Sequence, residues 1–149
     1  MTDAPATPTT PAAPHHAAPP KITYIWGTGR RKTAVARVRI KPGKGQFQVN
    51  KREFKNYFTI EHLQNTCLAP LKATDTANKI DIFINVAGGG PSGQAGAVSL
   101  GIARALVKLD SAHEQPLRDG KYLTRDSRKV ERKKYGKAGA RKSFQWTKR

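Results

Sequence analysis

Acidic residues are scarce in this chain: 10 Asp and Glu stand against 28 Lys and Arg, a formal net charge of +18 over 149 residues. The pI is about 10.6. Such an imbalance says little about fold but constrains partners, because the self-repulsion of the cations has to be offset by a polyanion. Cysteine is nearly absent as well. The single thiol, Cys67, excludes an intrachain disulfide and fits a cytosolic-type compartment. In its apolar stretch it reads as a small core residue, not a nucleophile. No apolar run approaches the ~18 residues that would span a bilayer, so no membrane partner is expected and nucleic acid leads.

Catalytic constellations are missing too. The 10 acids are scattered, many beside a cation, and His62 and His113 have no obvious partner. His15 and His16 lack Cys or carboxylate neighbours and read as solvated side chains, so no metal is expected. Ser92 reads more readily as a helix cap than as a nucleophile. We therefore expect no enzyme, no catalytic residue and no cofactor.

What is present is uneven. Residues 1–20, 21–117 and 118–149 carry net charges of −1, +9 and +10. The first segment, rich in Pro, Ala and Thr, has no apolar periodicity and is expected to be disordered. It has neither the Arg-rich pattern of a transit peptide nor the apolar core of a signal peptide. Residues 21–117 have the texture of a globular domain, and 118–149 read as a basic arm too sparse in apolar residues for a core. A short helix around Ser127–Tyr135 is predicted within an otherwise extended arm.

In the domain, "KITYIW" and "AVARVRI" alternate as strands, with Ala36, Val38 and Ile40 on one face and Val35 and Arg37 on the other. "GTGRRKT" between them reads as a glycine-hinged turn, "KPGKG" as a second turn, and "QFQVN" as a short third strand. Helical spacing predicts a short helix in "REFKNYF" and a longer one in "TIEHLQNTCLAPLKAT", with Thr59 as N-cap. "KIDIFINVAGGG" is the clearest strand. "SGQAGAVSLGIARALVKLD" is a helix with Ala95, Val98, Ile102, Leu106 and Leu109 in one stripe. The order of elements predicts an α+β fold, one sheet with helices on one face.

"GGGPSG" matches G-x-G-x-x-G at Gly88, Gly90 and Gly93, but its context fails as a dinucleotide site. Asp110 ends a helix instead of the next strand, no second parallel strand follows, and Pro91 sits where phosphate-holding amides belong. The same loop can still offer bare amides at a helix N-terminus to an RNA phosphate, through Gly89, Gly90, Ser92 and Gln94. Across Gly29–Lys44, seven cations face no acid. Arg30, Arg31, Lys32, Arg37, Arg39 and Lys44 are therefore candidate RNA contacts. In the arm, the candidates are Arg125, Arg128, Arg132, Lys133, Lys134, Lys137, Arg141 and Lys142, punctuated by Tyr122, Tyr135, Phe144 and Trp146. Cations neutralise phosphates while rings stack on unpaired bases, a pairing that favours structured, single-strand-rich RNA over smooth duplex.

"GTGRRKTAVARVRIKPGKG", "LKATDTANKIDIFINVAGGGPSGQAGAVSLGIARAL" and "LTRDSRKVERKKYGKAGARKSFQWTKR" together resemble the bacterial form of the small-subunit ribosomal protein S-nine family, from Ile22 to Arg149. The resemblance implies the fold of the second domain of ribosomal protein S-five, a mixed sheet with a left-handed βαβ crossover. It further implies a cytoplasmic place in the head of the small ribosomal subunit. The partners would be small-subunit ribosomal RNA, neighbouring head proteins and the peptidyl-site transfer RNA. The family's final Ser-Lys-Arg, which touches transfer RNA, corresponds here to Thr147, Lys148 and Arg149. Thr stands for Ser there, and Trp146 stands where the family often has Tyr. Two other readings compete: a nucleotide-binding kinase of the same superfold, and a non-ribosomal architectural protein that grips nucleic acid with a cationic arm.

Overall fold

Two alternating apolar runs, Ala34–Ile40 and Ile80–Val86, meet at the centre of the sheet. The structure, a computed structural model, describes residues 23–148, so the extension over 1–20 and Arg149 lie outside the described residues. Five strands, β1 (Ile25–Arg31), β2 (Ala34–Pro42), β3 (Phe47–Val49), β4 (Arg52–Glu53) and β5 (Ile80–Ala87), form one sheet in the order β1-β2-β5-β3-β4. β2 pairs antiparallel with β1 and β5, whereas β3 runs parallel to β5, so the sheet is mixed. The β3 to β5 connection holds the short helix α1 (Phe54–Tyr57) and α2 (Glu61–Ala73). After β5 come α3 (Pro91–Leu109), a single 3-10 turn and α4 (Glu114–Asp119).

The alternation is honoured residue by residue. Ala36, Val38 and Ile40 of β2 and Ile80, Ile82, Ile84 and Val86 of β5 are all buried on one face. Against them lie Ala95, Val98, Ile102 and Leu106 of α3, and α2 adds Leu63, Cys67 and Leu71 to the same cluster. Each large aliphatic side chain buried this way contributes about 1.5–3 kcal/mol. The helices cover one face only, which is the α+β arrangement expected.

Five local expectations are corrected. "GTGRR" is strand, not turn: β1 runs through both glycines to Arg31, and the reversal is the two-residue loop Lys32–Thr33, with Lys32 at φ 51°. The glycines are there for a helix. A Cβ on Gly27 would lie 2.2 Å from the Gly101 carbonyl oxygen, and one on Gly29 would lie 1.9 Å from that of Ala97. α3 thus touches the β1 backbone itself. In "REFKNYF", Arg52 and Glu53 pair with β3 and only Phe54–Tyr57 is helical. The N-cap of α2 is Ile60, not Thr59, since the Ile60 carbonyl already accepts from Leu63 and Gln64. The N-cap of α3 is Gly90 followed by Pro91 at the first helical position, which leaves Ser92 inside the first turn. No helix forms over 127–135. Arg128, Lys129, Arg132 and Lys133 would repel at i,i+4, and there is no apolar face to pack.

Candidate nucleic-acid interface

Three stretches far apart in sequence meet at one end of the sheet. The first is the β1–β2 hairpin tip with Arg30, Arg31 and Lys32. The second is the glycine loop: Gly88 (φ 73°) and Gly89 (φ 67°) take left-handed conformations that glycine adopts freely. They pass so close to the hairpin that a Cβ on Gly88 would sit 2.7 Å from the Thr33 carbonyl oxygen. The third is the root of the arm, held by Arg31. One guanidinium nitrogen of Arg31 donates to Asp126 at 3.2 Å and the other to the Ser92 carbonyl at 3.4 Å. Its stem crosses α3 at Gly96, where a Cβ would lie 2.4 Å from Arg31 Cδ. Grooves of about 430 and 370 Å³ flank Arg31; the second is lined by Arg31, Lys32, Asp126, Arg128, Lys129 and Val130.

The acids at this end are consumed locally. Asp126 accepts from the Arg128 side chain and amide and from Arg31, and these partners hold its carboxyl well below the ordinary 3.8. Glu131 is lowered by Lys134 and Arg141, which it accepts from at 2.7 and 2.9 Å. That pair closes the turn in which the Ala138 amide donates to the Lys142 carbonyl. Arg125, Lys129, Arg132, Lys133 and Lys142 carry no ion pair among the described residues and are exposed, as is Tyr135 at 97%. Lys137 is half-buried. Beyond Asp119, no helix or strand occurs among the described residues.

Other candidates are placed apart. Arg37 and Arg39 lie on the open sheet face, and Lys44 sits in the β2–β3 turn at the opposite end of β2. That turn is tied by Asp81, which accepts from the Lys44 and Gln46 amides at 2.9 and 3.0 Å. The Gln46 amide leads the set of donors that lower the Asp81 pKa. Gly90 faces open space. Gln94 turns inward: its amide nitrogen donates to the Gly88 carbonyl at 3.1 Å and its oxygen accepts from Tyr57 at 2.8 Å. Asn50 completes this brace, with its side chain exchanging hydrogen bonds with the Val86 backbone. Tyr57 and Asn50 were not legible as part of the loop, although Asn50, a residue type that tolerates left-handed conformations, stands at φ 49°. Thr147 and Lys148 are exposed at the end of the described chain, near Phe144 (68% exposed) and Trp146 (91% exposed).

Burial pushes the Cys67 thiol up to about 12, the state of a core residue. Among the described residues, no group of His, Cys, Asp and Glu could hold a metal ion, and no helix is long and apolar enough to cross a membrane. The arrangement defines a small basic α+β protein whose cations gather about a braced glycine loop and along an arm. Comparison with known proteins is specific. The family model "Ribosomal protein S9/S16" matches residues 29–149. The chain is 56% identical over 128 residues to the small ribosomal subunit protein uS9 of Borrelia turicatae, covering 86% of this chain and 94% of that protein. The uS9 protein of Borreliella burgdorferi gives the same figures. That of Chlorobaculum tepidum is 56% identical over 121 residues, 81% of this chain and 94% of its own. The chain belongs to the ribosomal protein S9/S16 family, whose members are structural proteins of the small subunit, and no catalytic function is indicated.

Proposed function

We propose that this protein is an RNA-binding constituent of the small-subunit head whose arm reaches the peptidyl-site transfer RNA. The single observation that carries the reading is that the family match runs to residue 149, through the arm and its last three residues. The domain over 21–117 anchors on ribosomal RNA beside neighbouring head proteins, and the protein works in the cytoplasm within the ribosome.

The chemistry supports a division of labour. Arg30, Arg31 and Lys32, the Gly89–Gly90–Ser92 turn and Arg128 share one end of the sheet, where cations and first-turn helix amides suit RNA phosphates. Gln94, braced internally, shapes the loop that makes that offer. Arg37, Arg39 and Lys44 extend the positive surface along the strands. In the arm, Arg125, Arg132, Lys133, Lys134, Lys137, Arg141 and Lys142 neutralise phosphate along a path, and Tyr135 is free to stack. Thr147, Lys148 and Arg149 meet the transfer RNA backbone. Backbone contacts carry no sequence code, which suits a site that accepts every transfer RNA in turn.

Deleting Thr147–Arg149 tests this. Subunits should assemble with the truncated protein at normal stoichiometry yet release peptidyl-site transfer RNA faster in filter-binding chases. Unchanged release from subunits shown to contain the truncated chain would refute the arm's role.

A further inference from the structure

The sheet face turned away from the helices has no cover among the described residues, and it is not polar in the ordinary way. Strand register sets Trp26, Arg39, Phe83 and Gln48 in one row across β1, β2, β5 and β3. Tyr24 adds a third ring, edge-on to Phe83 at 6.2 Å between centroids. The Arg39 guanidinium lies over both Tyr24 and Trp26, at 5.6 and 5.5 Å, and Lys41 lies over Phe83 at 5.5 Å. Trp26 nevertheless remains 52% exposed, whereas tryptophan is highly buried on average.

We propose that this face is a stacking platform for an unpaired segment of RNA, with Trp26 as its principal ring. The proposal rests on the RNA-binding reading above and assigns it a second contact surface, distinct from the hairpin end and the arm. Charge complementarity selects the occupant. Arg37, Arg39 and Lys41 point to this side. Of the acids there, Asp81 is spent on the turn amides and Lys41, and Glu53 stands out at the β4 edge accepting from Asn56. The first twenty residues, with one acid and no Lys or Arg, could neutralise little of it. Aromatic rings interleaved with cations on an open sheet match the requirements of unstacked bases, which offer a π-face to the rings and a phosphate to the cations. A-form duplex could use only the cations. Gln48 and Asn85, beside Arg39 and Phe83 in a depression of about 100 Å³, supply amides at hydrogen-bonding range of a base edge laid there. The Arg39 cation–π contacts hold Trp26 in place before RNA arrives, which reduces the ordering cost of binding.

The decisive experiment places a photo-crosslinker at the ring. Full-length protein with Trp26→p-benzoylphenylalanine is assembled into small subunits and irradiated. A crosslink to ribosomal RNA is expected; a crosslink to a neighbouring ribosomal protein alone, or none, overturns the proposal. A binding arm uses a single-stranded A-rich RNA 12-mer and a 12-base-pair RNA duplex as probes. Trp26→Ala should weaken single-strand binding by roughly 5- to 150-fold, the loss of one stacked base, with little effect on duplex. Its salt dependence should stay as in the parent, because the ring carries no charge. Trp26→Tyr should restore most of the loss, while Arg37→Gln should lower the salt slope by about one phosphate. Equal losses for both probes, or none, would overturn the platform. A chain that neither enters subunits nor binds RNA would sink the functional reading as well. Normal entry with a silent Trp26 sinks this surface alone.

Discussion

Gly29→Ala is the sharpest test of how this fold is assembled. The added Cβ would lie 1.9 Å from the Ala97 carbonyl oxygen and 2.5 Å from the Gly101 amide nitrogen. Relieving such a contact means moving β1 and α3 apart by more than 1 Å, on the order of a whole overpacked methylene. Both obstacles are main-chain atoms, so no rotamer change helps, and the cost should reach the upper end of the overpacking range, about 3 kcal/mol. For a folded region of ~100 residues, each kcal/mol shifts the midpoint by about 4–8 °C, which predicts a fall of roughly 12–24 °C. Thermal unfolding followed by circular dichroism reads this directly. Two controls sharpen it. Gly90→Ala, with nothing within 4 Å of its added Cβ, should change stability by no more than about 1 kcal/mol. Ala97→Gly should not rescue Gly29→Ala, since the obstacle is the carbonyl and not the methyl. A Gly29→Ala protein melting within about 3 °C of the parent, or one rescued by Ala97→Gly, would refute the claim that strand and helix backbones touch here.

Other consequences can be measured on the free protein. Tyr57→Phe removes a hydroxyl that donates to Gln94 at 2.8 Å and accepts a longer bond from Asn50 at 3.4 Å, and the loss, mostly of the shorter bond, should cost about 1 kcal/mol, a midpoint lower by about 4–8 °C. Cys67, its pKa pushed up to about 12, should resist iodoacetamide at pH 8 in the folded protein and react once urea unfolds it. The Asp126 carboxyl is held below its ordinary 3.8, so the link between arm root and Arg31 is complete above that value and is lost as pH falls through the lower, folded one. Guanidinium proton signals of Arg31 and Arg128 in NMR spectra should therefore persist at pH 5 and still at pH 3, below the ordinary carboxylate value, and broaden only in stronger acid. Asp126→Asn should show the broadened state already at pH 5 and be cut faster by trypsin at Arg128. If the arm neutralises about ten phosphates, affinity for small-subunit RNA should fall by about 10³–10⁵ between 50 and 200 mM salt.

The parts of the fold that could be read from sequence are those whose evidence is local. Strict alternation in Ile80–Val86 marks a strand with one buried face, and every residue of that face is buried. The α3 stripe is equally plain. "GTG" misled because a glycine in isolation looks like a hinge, while the reason for Gly27 and Gly29 lies more than 60 residues away in Ala97 and Gly101. The signal was divided between elements: glycines at i and i+2 on a strand, and small residues Ala97, Gly101 and Ala105 every four positions on a helix. Each half is unremarkable until the two are superposed. The same holds for Arg31, which reads as one more cation of "GRRK" yet spans 95 positions to Asp126. The candidate cations themselves were legible because excess charge needs no partner to be noticed.

The few acids explain how so cationic a chain keeps its shape without spending its charge. Asp81 ties the β2–β3 turn, Asp126 fastens the arm to the hairpin, and Glu131 closes a turn within the arm. In each case a carboxylate takes up the cations and amides nearest to it, and the next cations along stay exposed. Among the described residues, Asp126 and Glu131 both lie in the arm, where no core could impose order. The pairs with Arg128, Lys134 and Arg141 are exposed on their cation side, so salt screens them and they hold their geometry only loosely, whereas the Arg31–Asp126 pair is part-buried. They set the starting path of the arm without locking it, so phosphates of an RNA partner can displace a carboxylate and take over the same guanidinium. Arg31 is where that exchange has the largest structural reach. It already links the arm root, the first turn of α3 and the hairpin, and a phosphate replacing Asp126 there would fasten all three to RNA at one point.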